Sequence, residues 1–311
     1  MDLSRIDVMV VNPSRALQQI LKQVLWDVGL RHLRALRSGA AAWRAMNDLP
    51  ADLLFVDGEL ADGPGTAFVR RLRRSPASPV PFVSVIATIG DPTLQKIMAA
   101  RDAGADEVVT RPVTVKGVMQ KVAAAIERPR PYVLAPGFIG PDRRHAKTAN
   151  ALATNRRNPL RRDSFEVSAM PLLQMKQRGE RQEAEKFITE ARHVLHSFRM
   201  TWIDGDLDKL SRLLAEVSAS GEFEALRPVL QERLQSAART MEEHGYDRAA
   251  EIAGQLLDLL GRSGTSGRTA QLLKVNVDSL RAVIHARPEA ADQLAQQIVE
   301  GLQQLAGPPG R

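Results

Sequence analysis

The sequence predicts two structural classes in series: an α/β domain built on a five-stranded doubly wound parallel sheet, followed by an all-α helical bundle domain. Over residues 1–127, five short apolar runs alternate with segments of helical length, which is typical of strands buried on both faces of a parallel sheet. From residue 164 onwards, only apolar stripes at three- and four-residue spacing recur. We therefore expect domains at residues 1–127 and 164–311, joined by a linker at residues 128–163.

Each apolar run in the first domain has the length of a strand. The predicted strands are Asp7 to Val11, Leu33 to Leu36, Leu53 to Val56, Phe82 to Ala87 and Glu107 to Thr110. Apolar stripes with helical spacing follow the strands, and the first of them ends at Gly29, a residue that favours a helix C-terminus. Right-handed crossovers then give a parallel sheet whose ligand-binding edge lies at the carboxyl ends of the strands.

The segment 128–163 concentrates the positive charge of the chain. It holds nine Lys or Arg residues against two Asp or Glu residues, and is rich in Pro, Asn and Ala with little apolar periodicity. The segments on either side carry +3 and −3, so this segment accounts for the whole net charge of +7. A solvated tether is one interpretation, and contact with nucleic acid or an anionic membrane surface is another.

The second domain reads as about six helices in an antiparallel bundle or a short helical array. Breaks between the helices are predicted at Gly205, Ser220-Gly221, Gly245, Gly261 to Gly267 and Pro288. A longer helix from about Glu180 to Met200 precedes the others. It either mediates dimerisation or closes the bundle, and the sequence leaves both alternatives open.

Composition limits the class of protein. The contents of 44% hydrophobic and 25% charged residues are those of a globular protein, and the absence of cysteine excludes disulfides and thiolate chemistry. No window approaches the ~18 apolar residues of a membrane-spanning helix, and the start Met-Asp-Leu-Ser-Arg has no signal-peptide pattern. We expect a cytoplasmic protein.

Four polar residues stand at the predicted carboxyl ends of strands: Asn12, Asp57, Thr88 and Arg111. In order and spacing, the first 127 residues resemble the receiver domain of two-component response regulators, which has a flavodoxin-like fold. The resemblance implies that Asp57 is the phosphoacceptor and that Thr88 and Arg111 contact the phosphoryl group. It also implies a cis peptide bond before Pro112.

The same resemblance exposes a departure. Asn12-Pro13 occupies the position of the acidic pair that holds Mg²⁺ in the family. Asn12 offers one neutral carbonyl oxygen and Pro13 offers no side-chain oxygen, whereas Mg²⁺ typically takes carboxylates. We therefore predict a degenerate acidic pocket with no metal site, weak or absent Mg²⁺ binding and no other cofactor.

Three functional hypotheses follow for this response-regulator-like protein. The first is a non-enzymatic signalling adaptor with an atypical receiver, in effect a pseudo-receiver, and a helical domain that binds protein partners. The second is a functional phosphoacceptor, phosphorylated on Asp57, with the helical domain as its regulated output. The third, which the acidic helical domain disfavours, is a nucleic-acid-associated regulator that uses the basic linker. A histidine kinase or phosphotransfer protein and a homodimer are the other partners considered.

Overall fold

The computed structural model describes residues 3–135, 138–142, 165–167, 172–262, 267–286 and 288–306. By its internal contacts the chain divides into two units, Met1–Leu195 and His196–Arg311. Among the described helices, none is long and apolar enough to cross a membrane.

The first unit begins with alternating strands and helices. Its strands are β1 (Asp7–Val11), β2 (His32–Leu36), β3 (Leu53–Asp57), the short pair β4 (Glu59–Leu60) and β5 (Gly63–Pro64), β6 (Ser84–Ile89) and β7 (Glu107–Thr110). Its first helices are α1 (Arg15–Val28), α2 (Gly39–Asp48), α3 (Gly65–Arg74), α4 (Leu94–Asp102) and α5 (Val115–Glu127). The main sheet has the order β2-β1-β3-β6-β7 with all neighbours parallel, so the predicted doubly wound five-stranded sheet is confirmed.

Alternate residues of each central strand enter two separate cores, as the two-residue period of a strand requires. In β3, Leu53 and Phe55 pack with apolar residues of α1 and α5, whereas Leu54 and Val56 pack with those of α2 and α3. Gly29 ends α1 in the left-handed conformation, with φ of 105°, as the sequence predicts. Burial on both faces leaves the carboxyl edge of the sheet as the place where polar side chains gather.

The first part of the segment predicted as a linker forms regular structure. Strands β8 (Tyr132–Ala135), β9 (Phe138–Pro141) and β10 (Phe165–Val167) make a small antiparallel sheet in the order β10-β8-β9. The apolar run from Tyr132 to Ala135 is buried, although the prolines and arginines around it give this segment the composition of a linker. Residues 143–164, which carry most of the basic charge, lie outside the described residues.

A buried arginine links this small sheet to the main one. Arg73 of α3 is fully buried and donates to the carbonyl oxygens of Gly104, Pro81 and Val83. Its Nη2 also lies 2.9 Å from Oδ2 of Asp106, and the Tyr132 hydroxyl donates to Oδ1 of the same carboxylate at 3.1 Å. A buried charge is tolerated only when it is paired and hydrogen-bonded, so this network makes Tyr132 part of the first unit.

Helix α6 (Leu172–Arg178) also packs onto the first unit. Leu172 and Leu173 are buried, and the Gln174 amide donates to the carbonyl oxygen of Ile126 at the end of α5. Lys176 pairs with the buried Asp52, which precedes β3, at 3.2 Å. The contact unit therefore runs past residue 127, and our division at 127 and 164 stays a prediction.

The second unit is helical, as predicted. It consists of the later part of α7 (Arg181–Ser220), then α8 (Phe223–Glu243), α9 (Asp247–Arg262), α10 (Gly267–His285) and α11 (Pro288–Ala306). One apolar core joins these helices, with Leu207, Leu256 and Leu280 among its fully buried members. Gly221 and Gly245 stand at helix ends with positive φ, which fits the predicted breaks there.

The predicted break at Gly205 is wrong, because Gly205 lies inside α7, an unbroken helix of 40 residues. A glycine inside a helix costs only about 1 kcal/mol relative to alanine. The neighbouring Ile203, Leu207 and Leu210 are buried in the core of the second unit, which more than offsets that cost. The helix expected to end near Met200 and the stripe that follows it are therefore one element.

Candidate functional site

The carboxylate of Asp57, at the end of β3, is surrounded by hydrogen-bond donors. Its Oδ2 accepts from the Asn12 amide at 2.7 Å and from the Thr88 hydroxyl at 3.1 Å. Its Oδ1 accepts from the backbone N–H of Glu59 at 3.1 Å, and Nη2 of Arg111 reaches both oxygens, at 3.3 and 3.1 Å. The carboxylate charge is thus compensated by one cation and three neutral donors.

Strand pairing explains why these side chains meet. Asp57 pairs with Thr88 across β3 and β6, and Asn12 follows β1, the neighbour of β3 on the other side. Arg111 follows β7, which pairs with β6. Asp57, Thr88 and Asn12 are buried, whereas the Arg111 side chain is 34% exposed. The structure thus brings these four sequence-predicted residues together, and the assignment of roles to them stays a prediction.

The side-chain carbonyl oxygen of Asn12 faces away from Asp57. The Asn12 Oδ1 accepts from the backbone N–H of Ser14 at 2.8 Å, which orients its amide nitrogen towards Asp57. Ser14 in turn caps α1 by accepting from the N–H of Leu17. Asn12 therefore acts as a hydrogen-bond donor in this pocket, a role that residue type alone does not reveal.

This donor set does not fit Mg²⁺, which prefers octahedral oxygen ligation with carboxylates. Asp57 supplies one carboxylate whose oxygens are already hydrogen-bonded, and Pro13 supplies no side-chain oxygen. Glu59 has an exposed side chain and contributes its backbone N–H. Weak or absent Mg²⁺ binding stays our prediction.

The loop after β6 leaves room for the guanidinium of Arg111. A Cβ atom on Gly90 would lie 3.0 Å from the Cζ and Nη2 atoms of Arg111, so the guanidinium lies directly over this glycine. The Arg111–Pro112 peptide bond is cis, as the resemblance implies. Gly90 and the Glu59 backbone are the two parts of the pocket that the sequence analysis did not identify, since a backbone N–H and a missing Cβ leave little trace in a residue pattern.

The comparison with known proteins agrees with this geometry. Residues 8–123 match the model of the response regulator receiver domain, and this part of the chain is a receiver domain of the two-component type. The matched residues are those that carry the parallel sheet and the Asp57 pocket.

Among curated proteins, the chain is similar to the KDP operon transcriptional regulatory protein KdpE of Escherichia coli, with 30% identity over 122 residues. That match covers 39% of this chain and 52% of KdpE. This chain is also 25% identical over 128 residues to a protein-glutamate methylesterase/protein-glutamine glutaminase of Halobacterium salinarum. That match covers 39% of this chain and 36% of the other protein. The chain thus spans about half or less of the length of these relatives.

Among solved structures, the chain is similar to the receiver domain of NtrX from Brucella abortus, with 21% identity and a TM-score of 0.36. The match covers 39% of this chain and 98% of that one. The receiver domain of the sensor histidine kinase PA1611 from Pseudomonas aeruginosa matches with 17% identity and a TM-score of 0.35, over 38% and 94% of the two chains.

Proposed function

We propose that this protein is a signalling adaptor whose receiver domain works without standard Mg²⁺-supported phosphorylation. The observation that carries the proposal is that both oxygens of the Asp57 carboxylate already have hydrogen-bond donors. Asp57 is paired with Arg111 and accepts from Asn12, Thr88 and the backbone N–H of Glu59. In-line phosphoryl transfer to a carboxylate needs a cation on the phosphoryl oxygens and a free nucleophilic oxygen. Asn12-Pro13 removes the negative charges that would recruit that cation.

In this proposal the helical unit binds protein partners and has no enzymatic activity of its own. Its apolar stripes bury against one another, and acidic residues on α7 pair with a basic residue on α10, as in Asp204 with Arg281 at 3.6 Å. The upstream partner that fits a receiver domain is a histidine kinase or a phosphotransfer protein, and a homodimer is a further possibility for the long helix.

The alternative is a functional phosphoacceptor. It is favoured by the Thr88 hydroxyl and the Arg111 guanidinium, which both already point at the carboxylate that would carry the phosphoryl group. The nucleic-acid hypothesis depends on residues 128–163, most of which lie outside the described residues. Binding through that segment predicts a steep loss of affinity with salt, which the other two hypotheses do not.

The test is incubation of the full chain with acetyl phosphate and Mg²⁺, followed by intact-mass measurement. We expect little or no phosphoryl adduct on the natural chain. The double variant Asn12→Asp, Pro13→Asp restores the acidic pair and is expected to gain Mg²⁺-dependent modification. An acid-labile adduct on the natural chain, abolished by Asp57→Asn, would establish the phosphoacceptor alternative instead.

A further inference from the structure

A cavity of about 520 Å³ lies beside the Asp57–Arg111 pair, between α3, α4 and the carboxyl ends of β3 and β6. Its walls are largely aliphatic and include Val56, Val69, Ala87, Ile89, Ala100 and Ala103. Sites for small molecules are concave, mostly apolar and roughly 300 to 1,000 Å³ in volume, with a few polar groups that fix orientation. This cavity has that size and that composition.

Small residues form the wall of the cavity at the C-terminal end of α4. Ala100 of α4 and Ala103, which directly follows the helix, are buried and line the cavity, whereas Leu94 and Met98 are 73% and 50% exposed. Protein interiors are close-packed, with few voids larger than a water molecule. Here alanines face the cavity, while larger apolar side chains of α4 face the solvent. The cavity therefore has space for an apolar group from outside the chain.

The cations at the cavity decide the chemistry of that group. Arg111 has five N–H donors, and among the described residues only its Nη2 has an acceptor, whereas its buried Nε has none. Lys96 also lines the cavity; its side chain is exposed, so water solvates its ammonium when the cavity is empty. An anion in the cavity would supply the acceptor that the buried Nε of Arg111 lacks, and the Lys96 ammonium lies at the same cavity to pair with it.

The acidic residues at the cavity oppose an anion less than their number suggests. Asp57 is already compensated by its donors, as described above. Glu59 and Asp91 are exposed, so solvent and salt screen their charges, as they also screen the charge of the exposed Lys96. Arg111 is about two-thirds buried and is screened less, and the neutral donors Asn12, Thr88 and the Glu59 N–H share the Asp57 carboxylate with it, so part of its charge is left for an anion in the cavity.

We propose that this cavity binds a small organic carboxylate, with the carboxylate group on Arg111 and Lys96 and a short aliphatic body against the alanine side of α4. The inference deepens the proposed function, on which it rests, because a receiver that does not depend on phosphate needs another input at the same edge of the sheet. A carboxylate on Arg111 would compete with Asp57 for the guanidinium, so occupancy of the cavity would be coupled to the Asp57–Arg111 pair.

The experiment is a calorimetric titration of the full unphosphorylated chain with hexanoate, and with hexanamide and hexylamine as neutral and cationic compounds of similar size. We expect hexanoate to bind at least several-fold more tightly than either, because a hydrogen bond to a charged group contributes more than a neutral one. Preference for hexylamine, or equal binding of all three compounds, would overturn the assignment of a carboxylate site.

Variants locate the binding. Ala100→Leu fills the cavity and is expected to abolish hexanoate binding, and thermal unfolding and circular dichroism verify that this variant is folded. Lys96→Gln should weaken binding roughly two- to fivefold, since Lys96 is exposed and an ion pair with it is screened by solvent. The matched control Lys116→Gln, an exposed lysine on α5 outside the cavity, should leave binding unchanged.

Hexanoate binding that survives in a folded Ala100→Leu chain, or that Lys116→Gln weakens as much as Lys96→Gln does, would contradict the proposed location. The outcome is separable from that of the phosphorylation test. If acetyl phosphate phosphorylates the chain and hexanoate does not bind, both proposals are refuted. If neither phosphorylation nor hexanoate binding is detected, only the proposed ligand site is refuted.

Discussion

Arg111 and Asp57 form an ion pair at the carboxyl edge of the parallel sheet, with Nη2 of the arginine 3.1 Å from Oδ2 of the aspartate. The carboxylate is buried and the guanidinium is about one-third exposed. Removal of either partner leaves the other without its counter-charge in a site of limited solvent access. The interaction energy of the pair should therefore be large enough to measure.

We expect Asp57→Ala to destabilise the first unit by about 1 to 3 kcal/mol, because Arg111 and Asn12 lose their common acceptor. A double-mutant cycle with Arg111→Ala, read from amide hydrogen exchange of β3 and β6, isolates the coupling energy. The more exposed pair Arg130–Glu107 is the matched control and should give only about 0.2 to 1 kcal/mol. A coupling energy of zero between Asp57 and Arg111 would show that the pair does not stabilise this pocket.

A second prediction concerns the buried Arg73. Arg73→Met leaves Asp106 and three carbonyl oxygens without their common donor, and is expected to cost about 3 kcal/mol or more. Arg70→Met, on an exposed position of the same helix, should change stability by no more than about 0.5 kcal/mol. Urea unfolding of both variants provides the comparison, and similar losses in the two would mean that the buried network contributes little.

Truncation tests how far the first unit extends. A chain ending at Glu127 lacks Tyr132 and the strands around it, so Arg73 and Asp106 lose a partner and become exposed. We expect it to unfold at lower denaturant concentration than a chain ending at Leu195, which keeps β8, β9 and α6. Equal midpoints for the two chains would place the domain boundary near residue 127, as the sequence analysis predicts.

Two aspartates should affect stability with opposite dependence on pH. Burial raises the pKa of Asp52 above its ordinary value of 3.8, and the Asp7 N–H and Lys176 only partly oppose this shift. The folded state therefore binds the proton more tightly than the unfolded state, so the contribution of Asp52 is most favourable at acidic pH. It declines as pH rises through 3.8 to the raised pKa.

Asp62 behaves in the other direction. The backbone N–H groups of Ala40 and Gly39, at the start of α2, lower its pKa below 3.8. Its contribution is present above pH 3.8 and is lost as pH falls through the lowered pKa. Stability measured from pH 2.5 to 7 for Asp52→Asn and Asp62→Asn should differ from that of the natural chain with slopes of opposite sign. Slopes of the same sign would contradict the assignment of burial and hydrogen bonding as the two causes.

The sequence predicts the parallel sheet and the meeting of its strand ends because both depend on local patterns. A buried strand appears in the sequence as an apolar run. Asp57, Thr88 and Arg111 each stand at the end of such a run or directly after it. The features that the sequence analysis missed depend on tertiary context. Arg73 belongs to a strongly basic helix and reads as exposed, whereas its burial requires Asp106 and carbonyl groups from distant loops.

Gly205 illustrates the opposite error. Glycine is a strong signal for a helix end, but the signal is worth only about 1 kcal/mol, and neighbouring side chains in the core of the second unit outweigh it. Similarly, the role of Asn12 as a donor to Asp57 depends on Ser14, whose N–H fixes the orientation of the amide. Residue patterns give the positions of these groups, while the direction of each hydrogen bond comes from the assembled fold.

The buried side-chain amide of Asn12 has a practical consequence for spectroscopy. Asn12 is 1% exposed and its side-chain nitrogen donates to Asp57, so the amide protons should exchange slowly with solvent and give a resolved nitrogen-15 signal apart from those of exposed amides. Any phosphoryl group, metal ion or carboxylate that disturbs Asp57 has to alter that bond. A single resonance thus reports the occupancy of the pocket in the intact chain, without a label attached near it.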